Sequence, residues 1–565
     1  MWPTEKDSER QARIEALLRE RFGHPQLRPE QARAIAALLA GRDVLLILPT
    51  GGGKSLCYQL PALLLERPCL VVSPLIALME DQVQALKARG IPATFVNSSL
   101  SAAERERRLL GFAAGRYRLL YATPERFRNA ALQETLARQP LGLLAIDEAH
   151  CISAWGQDFR PDYWQLGARR EALGSPPTIA LTATASAATE ADIVRQLRLN
   201  QPERIRGALD RPNLFLAAGV YADDHERRQA LIERLLELPG PGIVYLTLIK
   251  SLESLAEDLR RRGLSPLVYH GDLSADERRR MQQRFMASPE ALVLATNAFG
   301  LGIDKANTRF VLHGELPRTL EAWTQEFGRA GRDGAPAWVE LFAAQQDLAV
   351  AQGFIQWANP DLDAFQRVYQ ALQSQAQRLP DLDAEELARL AFGSRRSDGR
   401  IQTCLAWLET LGVVSGRLEE RNLRLVQALD PSQLPEHFGA LDKQRRELTQ
   451  LLDMWRLAQQ PSQCRRLTLA EAFGGPLPDG PCGTCDQCAQ GAVWRREQGL
   501  IRKTERAAAA TVGAQANAPD ATRAAWERGD WVRIDGRHLG LVVEVERLGS
   551  DPLLIVEDPV DLRRR

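Results

Sequence analysis

The chain has no excess charge of either sign: Lys and Arg together number 72 and Asp and Glu together 72 in 565 residues. A polyanionic partner must therefore be met by local patches and not by a globally basic surface. No run approaches the ~20 apolar residues that a membrane span needs. The opening MWPTEKDSERQARIEALL lacks the charged-then-apolar pattern of a signal peptide. A soluble, cytoplasmic protein is the expectation. Cysteine is sparse: Cys57, Cys69, Cys151 and Cys404 stand apart and read as small core residues. Cys464, Cys482, Cys485 and Cys488 cluster instead, which suits a metal site better than a secreted disulfide framework. No internal repeat is visible beyond a pair of similar halves.

What is present is an α/β rhythm. Single cores rarely grow past roughly 250 to 300 residues, so a chain of this length divides into several domains. From about 26 to 205, short apolar runs (VLLIL, LVVSP, LLYAT, LLAID, TIALTAT) alternate with helical stretches, as in a parallel sheet covered on both faces. A second series, GIVYLT, PLVYH, ALVLAT and RFVLH, comes after it. The spacing predicts two parallel-sheet lobes, 1–205 and 206–345, with a cleft between them. A helical stretch, 346–382, precedes a helix, helix, two-stranded wing pattern over 383–432. Helices and the cysteine cluster occupy 433–490, and an Ala-, Arg- and Gln-rich linker covers 491–523. Residues 524–565 alternate as in a small antiparallel β-barrel.

The strand VLLIL runs into LPTGGGKS and then a helix, so the backbone N–H groups of Thr50, Gly51, Gly52, Gly53 and Lys54 can converge on phosphate oxygens. Lys54 would reach the terminal phosphates and Ser55 a Mg²⁺ ion. Leu48 stands where the strict pattern has its first glycine. A plain glycine turn would look similar, but the strand LLAI ends in Asp147 and Glu148. Such a strand-end pair can orient the metal through its water shell (Asp147) and deprotonate an attacking water (Glu148). The second series contributes TQEFGRAGRDG, with Arg329 and Arg332 on one face if helical. Positive charge from outside the phosphate loop stabilises a transferring phosphoryl group.

GGGKS, DEAH, LTATA, ATNAFGLGIDK and QEFGRAGRDG, in this order, resemble the motor of superfamily-2 helicases. FGHPQLRPEQ, SPLIALMEDQV, DEAHCISAWGQDFRPDYWQL and the Cys464 cluster narrow the resemblance to the RecQ family of ATP-dependent DNA helicases, over residues 22 to 488. The resemblance implies two RecA-like lobes, ATP and Mg²⁺ as ligands, and 3′ to 5′ unwinding of duplex DNA in repair or recombination, in the bacterial cytoplasm or nucleoid. Arg28 and Gln31 then become adenine-side contacts, and His24 stands where the family usually stacks a tyrosine. Arg332, beside Arg329, becomes the arginine finger. His150, Thr182 and Thr184, with Thr296, Gly302 and Asp304, link nucleotide state to DNA grip.

An aromatic-rich segment joined directly to the acids suits coupling, because a base stacked on an aromatic ring contributes ~1 to 3 kcal/mol whatever its sequence. Trp155, Phe159 and Arg160 are the candidates; a buried aromatic cluster is the plainer alternative, and Tyr163 and Trp164 fit it. Cys464, Cys482, Cys485 and Cys488 offer four soft ligands, and the family likeness favours zinc over iron–sulfur. The family usually places a winged helix after these cysteines, whereas here the pattern precedes them. Arg395, Arg396, Arg400, Arg421 and Arg424 could touch DNA phosphates, or the segment could be a packing or regulatory module. The C-terminal segment resembles SH3-like modules and could hold a protein partner. An ATP-switched clamp on nucleic acid and an RNA helicase are the rival readings.

Overall fold

The computed structural model describes residues 5–502 apart from 50, 75, 98, 153–160, 208–210, 300–304, 394–398, 417, 419–420, 431–440, 461–462 and 475–479, and then three strands within 531–557. The chain forms two compact units, Met1–Arg502 and Lys503–Arg565. No helix among the described residues is long and apolar enough to cross a membrane.

The first lobe is built on β1 (Val44–Ile47), β2 (Cys69–Val72), β3 (Ala93–Val96), β4 (Leu119–Ala122), β5 (Leu143–Ile146), β6 (Thr178–Thr182) and β7 (Glu203–Arg206). They form a seven-stranded sheet in the order β3-β4-β2-β5-β6-β1-β7, and every pair is parallel. Successive strand residues face opposite ways, so each run feeds two cores: Leu46, Val71 and Leu143 enter one, Leu45, Leu70 and Leu144 the other. Burial on both faces is why these strands read as unbroken apolar runs.

The second lobe contains β8 (Leu214–Tyr221), β9 (Gly242–Tyr245), β10 (Leu267–Tyr269), β11 (Leu292–Ala295), β12 (Phe310–His313) and β13 (Ala337–Ala344). Its order is β10-β11-β9-β12-β13-β8. Two of these strands extend the expected set. β8 and β13 pair in parallel from Leu214 with Ala337 to Tyr221 with Ala344, which leaves β8 at the sheet edge.

Helices Leu362–Ser374, Ala384–Phe392 and Gly399–Thr410 and the strand pair β14 (Val414–Ser415) and β15 (Arg424–Leu425) share a separate core of Phe365, Leu372, Leu387, Cys404, Leu408 and Leu423. The helix, helix, wing order expected over 383–432 is thus joined by a helix that precedes it. Arg395 and Arg396 lie outside the described residues, the Arg400 guanidinium sits 4.1 Å from the centre of the Phe392 ring, and Arg421 and Arg424 are exposed. This module touches the first lobe. Arg128 makes two bonds of 2.7 Å to Asp162 and reaches Thr410 Oγ1 at 3.2 Å and Glu409 at 3.1 Å.

Helix Leu441–Gln459 returns to the second lobe through Met454 and Leu457. Residues 491–502, the start of the expected linker, fold against that lobe: helix Gly491–Glu497 sets the Trp494 ring 5.1 Å from that of Phe215, and the rest of the linker lies outside the described residues. In the second unit, β16 (Trp531–Ile534), β17 (His538–Leu548) and β18 (Asp551–Glu557) make an antiparallel three-stranded sheet. The remainder of the expected barrel lies outside the described residues.

Candidate active site

All strands of the first sheet are parallel, so their carboxyl ends open onto one edge, where ligands bind in sheets of this kind. From that edge β1 delivers the phosphate loop, β5 the acid pair and the intervening β6 the threonines. The loop needs its glycines: Gly51 and Gly53 have φ of +82° and +75°, a region costly for other residues. Gln31 is buried and grips this turn, its Nε2 donating to Gly52 O (3.2 Å) and Gly53 O (3.3 Å) while its Oε1 accepts from Arg28 N (3.0 Å). His24 and Arg28 are exposed at the same end of the lobe. Thr50 lies outside the described residues.

Lys54 donates to Leu48 O at 3.0 Å. Withdrawal from water lowers its pKa, and the charges of Glu148 and Asp147 oppose that effect. Asp147 is raised to about 7, chiefly by burial and then by the neighbouring Glu148. Its Oδ1 accepts the Glu148 N–H at 3.1 Å. Glu148 itself has φ of 48°, an uncommon backbone state for a residue with a side chain. The Thr182 hydroxyl donates to Thr184 O at 2.9 Å, so its oxygen accepts from His150 Nδ1, also at 2.9 Å. That assigns the imidazole proton to Nδ1 and leaves the same nitrogen 3.4 Å from Glu148 Oε2. Tyr163, which the sequence reads as core, is fully buried, and its hydroxyl also donates to Asp147 O at 2.9 Å. The helix just after the aromatic-rich segment is therefore tied to the acid pair. Trp155, Phe159 and Arg160 lie outside the described residues.

The second lobe faces this edge. Helix Leu320–Phe327 stops before both arginines, so Arg329 and Arg332 sit in a turn and not on a helical face. A Cβ on Gly51 would lie 3.8 Å from Arg332 Cγ, and the Arg332 charge is felt at Lys54. Arg329 is buried and close to Tyr245, whose pKa burial raises to about 12. Glu321, which the sequence does not single out, lies within electrostatic reach of His150; burial raises its pKa and the imidazole lowers it. No local signal marks Glu321, because the relationship exists only once the lobes meet. Thr296 is buried just past β11, and Gly302 and Asp304 lie outside the described residues.

The sulfurs of Cys464, Cys482, Cys485 and Cys488 all lie within 4.8 Å of one another, and those of Cys464 and Cys485 are 3.9 Å apart. A tetrahedral zinc–thiolate site, with bonds of about 2.3 Å, requires sulfurs roughly 3.8 Å apart. The donor set fits. The neighbouring Cys485 thiol, and with it the Thr484 N–H, lowers the pKa of Cys482 to about 4. The loop is bonded to the edge strand: Leu216 N donates to Thr484 O and Asp486 N to Leu216 O, each at 3.0 Å.

Comparison with known proteins matches three segments of the chain. Residues 28–193 match the DEAD/DEAH box helicase family, 226–334 the helicase conserved C-terminal domain and 430–489 the RecQ zinc-binding family. The chain is 37% identical over 493 residues to the ATP-dependent DNA helicase RecQ of Synechocystis sp., covering 85% of this chain and 98% of that one. It is 41% identical over 368 residues to the probable ATP-dependent DNA helicase RecS of Bacillus subtilis, covering 65% of this chain and 74% of that one.

Proposed function

The chain belongs to the RecQ family of ATP-dependent DNA helicases, and on that premise we propose that it is a motor that tracks along a single DNA strand in the 3′ to 5′ direction and separates duplex ahead of it. The observation that supports this reading best is the meeting of Arg332, from one lobe, with Gly51 and Lys54 of the phosphate loop of the other. A pure clamp has no need of charge delivered across a cleft to the phosphates.

In the proposed cycle the Gly51–Ser55 turn binds the nucleotide phosphates through its N–H groups, and Lys54 moves from Leu48 O to the terminal phosphates. Ser55 and Asp147 would hold Mg²⁺, which when bound supplies charge neutralisation at the phosphates. Glu148 orients and deprotonates the attacking water. Arg332 meets the negative charge that develops on the transferring group, and Arg329 is buried in the same turn. His150 connects Glu148 to Thr182, so the state of the phosphates is passed to the strand end beside the acid pair. Tyr163 links the acid pair to the helix after residues 153–160, the segment assigned to base stacking. Zinc at the four cysteines would be structural, with no open position for chemistry. The bacterial cytoplasm or nucleoid is the proposed site of action.

A strand-displacement assay on 3′-tailed, 5′-tailed and forked duplexes tests the proposal, together with ATPase stimulation by DNA and RNA strands. Unwinding confined to 3′-tailed and forked DNA, with stimulation by DNA well above that by RNA, is expected. ATP turnover without displacement of any duplex would overturn it in favour of a clamp.

A further inference from the structure

The turn carrying Arg329 and Arg332 has no regular structure of its own, since one helix ends at Phe327 and β13 begins at Ala337. Its carbonyls are held by the segment entering the second lobe. Arg211 donates to Gly328 O (3.4 Å), Ala330 O (2.9 Å) and Gly331 O (2.7 Å). Asn213 Nδ2 donates to Gly331 O (2.8 Å) and Ala335 O (2.9 Å), and its Oδ1 accepts from Arg211 Nε (3.4 Å). Gly331 completes the fit: its φ is +53°, and a Cβ there would come 2.5 Å from Asn213 Nδ2. Arg211 is itself anchored. Arg466 donates to Arg211 O (2.8 Å), Leu214 O (2.7 Å) and Thr484 Oγ1 (2.9 Å). Arg466 lies two residues after Cys464, and Thr484 lies between Cys482 and Cys485.

We propose that Arg211 is a positioning residue for ATP hydrolysis: its guanidinium fixes the 328–332 turn so that Arg332 reaches the phosphate loop, and Arg466 holds Arg211 in register with the cysteine module. This rests on the reading of Arg332 as the residue that meets the transferring phosphoryl group. The physical argument is geometric. A planar guanidinium bonds several carbonyls at fixed angles, which an ammonium on a flexible stem cannot reproduce. A misplacement of ~1 Å in a catalytic group can cost about 10²-fold in rate. Loosening this turn therefore lowers kcat without touching the groups that bind the nucleotide. The cysteine module, remote from the acid pair in sequence, gains a polar route to the reaction through Arg466.

The test uses the full chain and measures DNA-stimulated ATPase, nucleotide affinity, melting temperature and bound zinc for Arg332→Ala, Arg211→Gln, Arg211→Lys and the double variant Arg211→Gln/Arg332→Ala. Arg332→Ala should lose on the order of 10³-fold in kcat. Arg211→Gln should lose roughly 10- to 100-fold in kcat with KM and nucleotide affinity within about twofold of wild type, and Arg211→Lys should recover part of the loss. The double variant should be no slower than Arg332→Ala alone, because a residue acting through another has nothing left to position. Multiplying losses in the double variant, or undiminished kcat in Arg211→Gln beside a slow Arg332→Ala, would overturn the positioning role alone. Undiminished kcat in Arg332→Ala would instead overturn the reading on which it rests. Should Arg211→Gln fail to fold, Asn213→Ala carries the same comparison with the same outcomes, since it removes two of the carbonyl contacts and leaves no buried charge.

Discussion

Arg332 lies along Gly51: the stem of an arginine from the second lobe fills the space beside a glycine of the first, 3.8 Å from where a Cβ would stand. Lys54→Ala and Glu148→Gln, both within the first lobe, should lower ATP turnover at least ~10²-fold, since proton transfer and phosphate charge are lost, while DNA binding persists. Turnover and DNA affinity measured on the same preparations check this. Turnover within tenfold of wild type in both would contradict the assignment.

Gly53→Ala should weaken nucleotide binding through Gln31. The new methyl would sit 2.4 Å from Gln31 Nε2 on a backbone of φ +75°, so either the glutamine leaves the loop carbonyls or the loop shifts. A rise of at least about tenfold in KM for ATP is expected, equal to ~1.4 kcal/mol of lost binding. An unchanged KM would show that Gln31 is dispensable to the loop.

Asp147 sets a pH dependence whose sign can be worked out. Burial and Glu148 raise it to about 7 in the folded chain, against ~3.9 when unfolded. The folded state thus keeps a proton that the unfolded state releases, so this contribution is complete below about pH 4 and is lost as pH rises to about 7. Without nucleotide and magnesium, Asp147→Asn should melt higher than wild type at pH 8 and nearly equal to it at about pH 3. Melting curves across that range are the measurement, and a pH-independent difference would refute the argument.

Cys485→Ser should release the metal. Its sulfur is buried within the cysteine cluster, and its loop is bonded to β8. Elemental analysis should fall from one zinc per chain to near none, with a loss of about 5 °C or more in melting temperature, as expected for ~2 kcal/mol. Full zinc content in the variant would remove the residue from the ligand set.

The chemistry-bearing residues are the most legible part of the sequence, because a phosphate loop or a strand-end acid pair is specified over a few consecutive positions. Lys54, Asp147, Glu148 and the cysteine cluster need no distant information to be noticed. Arg211 does: the carbonyls it holds are more than a hundred residues away, and nothing beside it in the chain announces them. Arg329 and Arg332 would share one face if helical, but the helix ends at Phe327 and tertiary bonds shape the turn beyond it. β8 and β13 are longer than their neighbours and are broken by Gly219 and Glu340, so neither reads as a short unbroken apolar run. Phe365 and Leu372 join the core of helices Ala384–Phe392 and Gly399–Thr410 from before its expected start, since a core recruits whatever apolar face packs against it.

The bonds from Thr484 and Asp486 to Leu216 also protect the fold from outside. β8 is the last strand of its sheet, and an uncovered strand margin is a template on which a second chain can polymerise. The cysteine loop acts as a cover for that margin, so metal-starved protein would be prone to aggregate through β8 before the rest of the lobe unfolds. Solubility, as much as enzymatic turnover, would then be the first thing a chelator takes away.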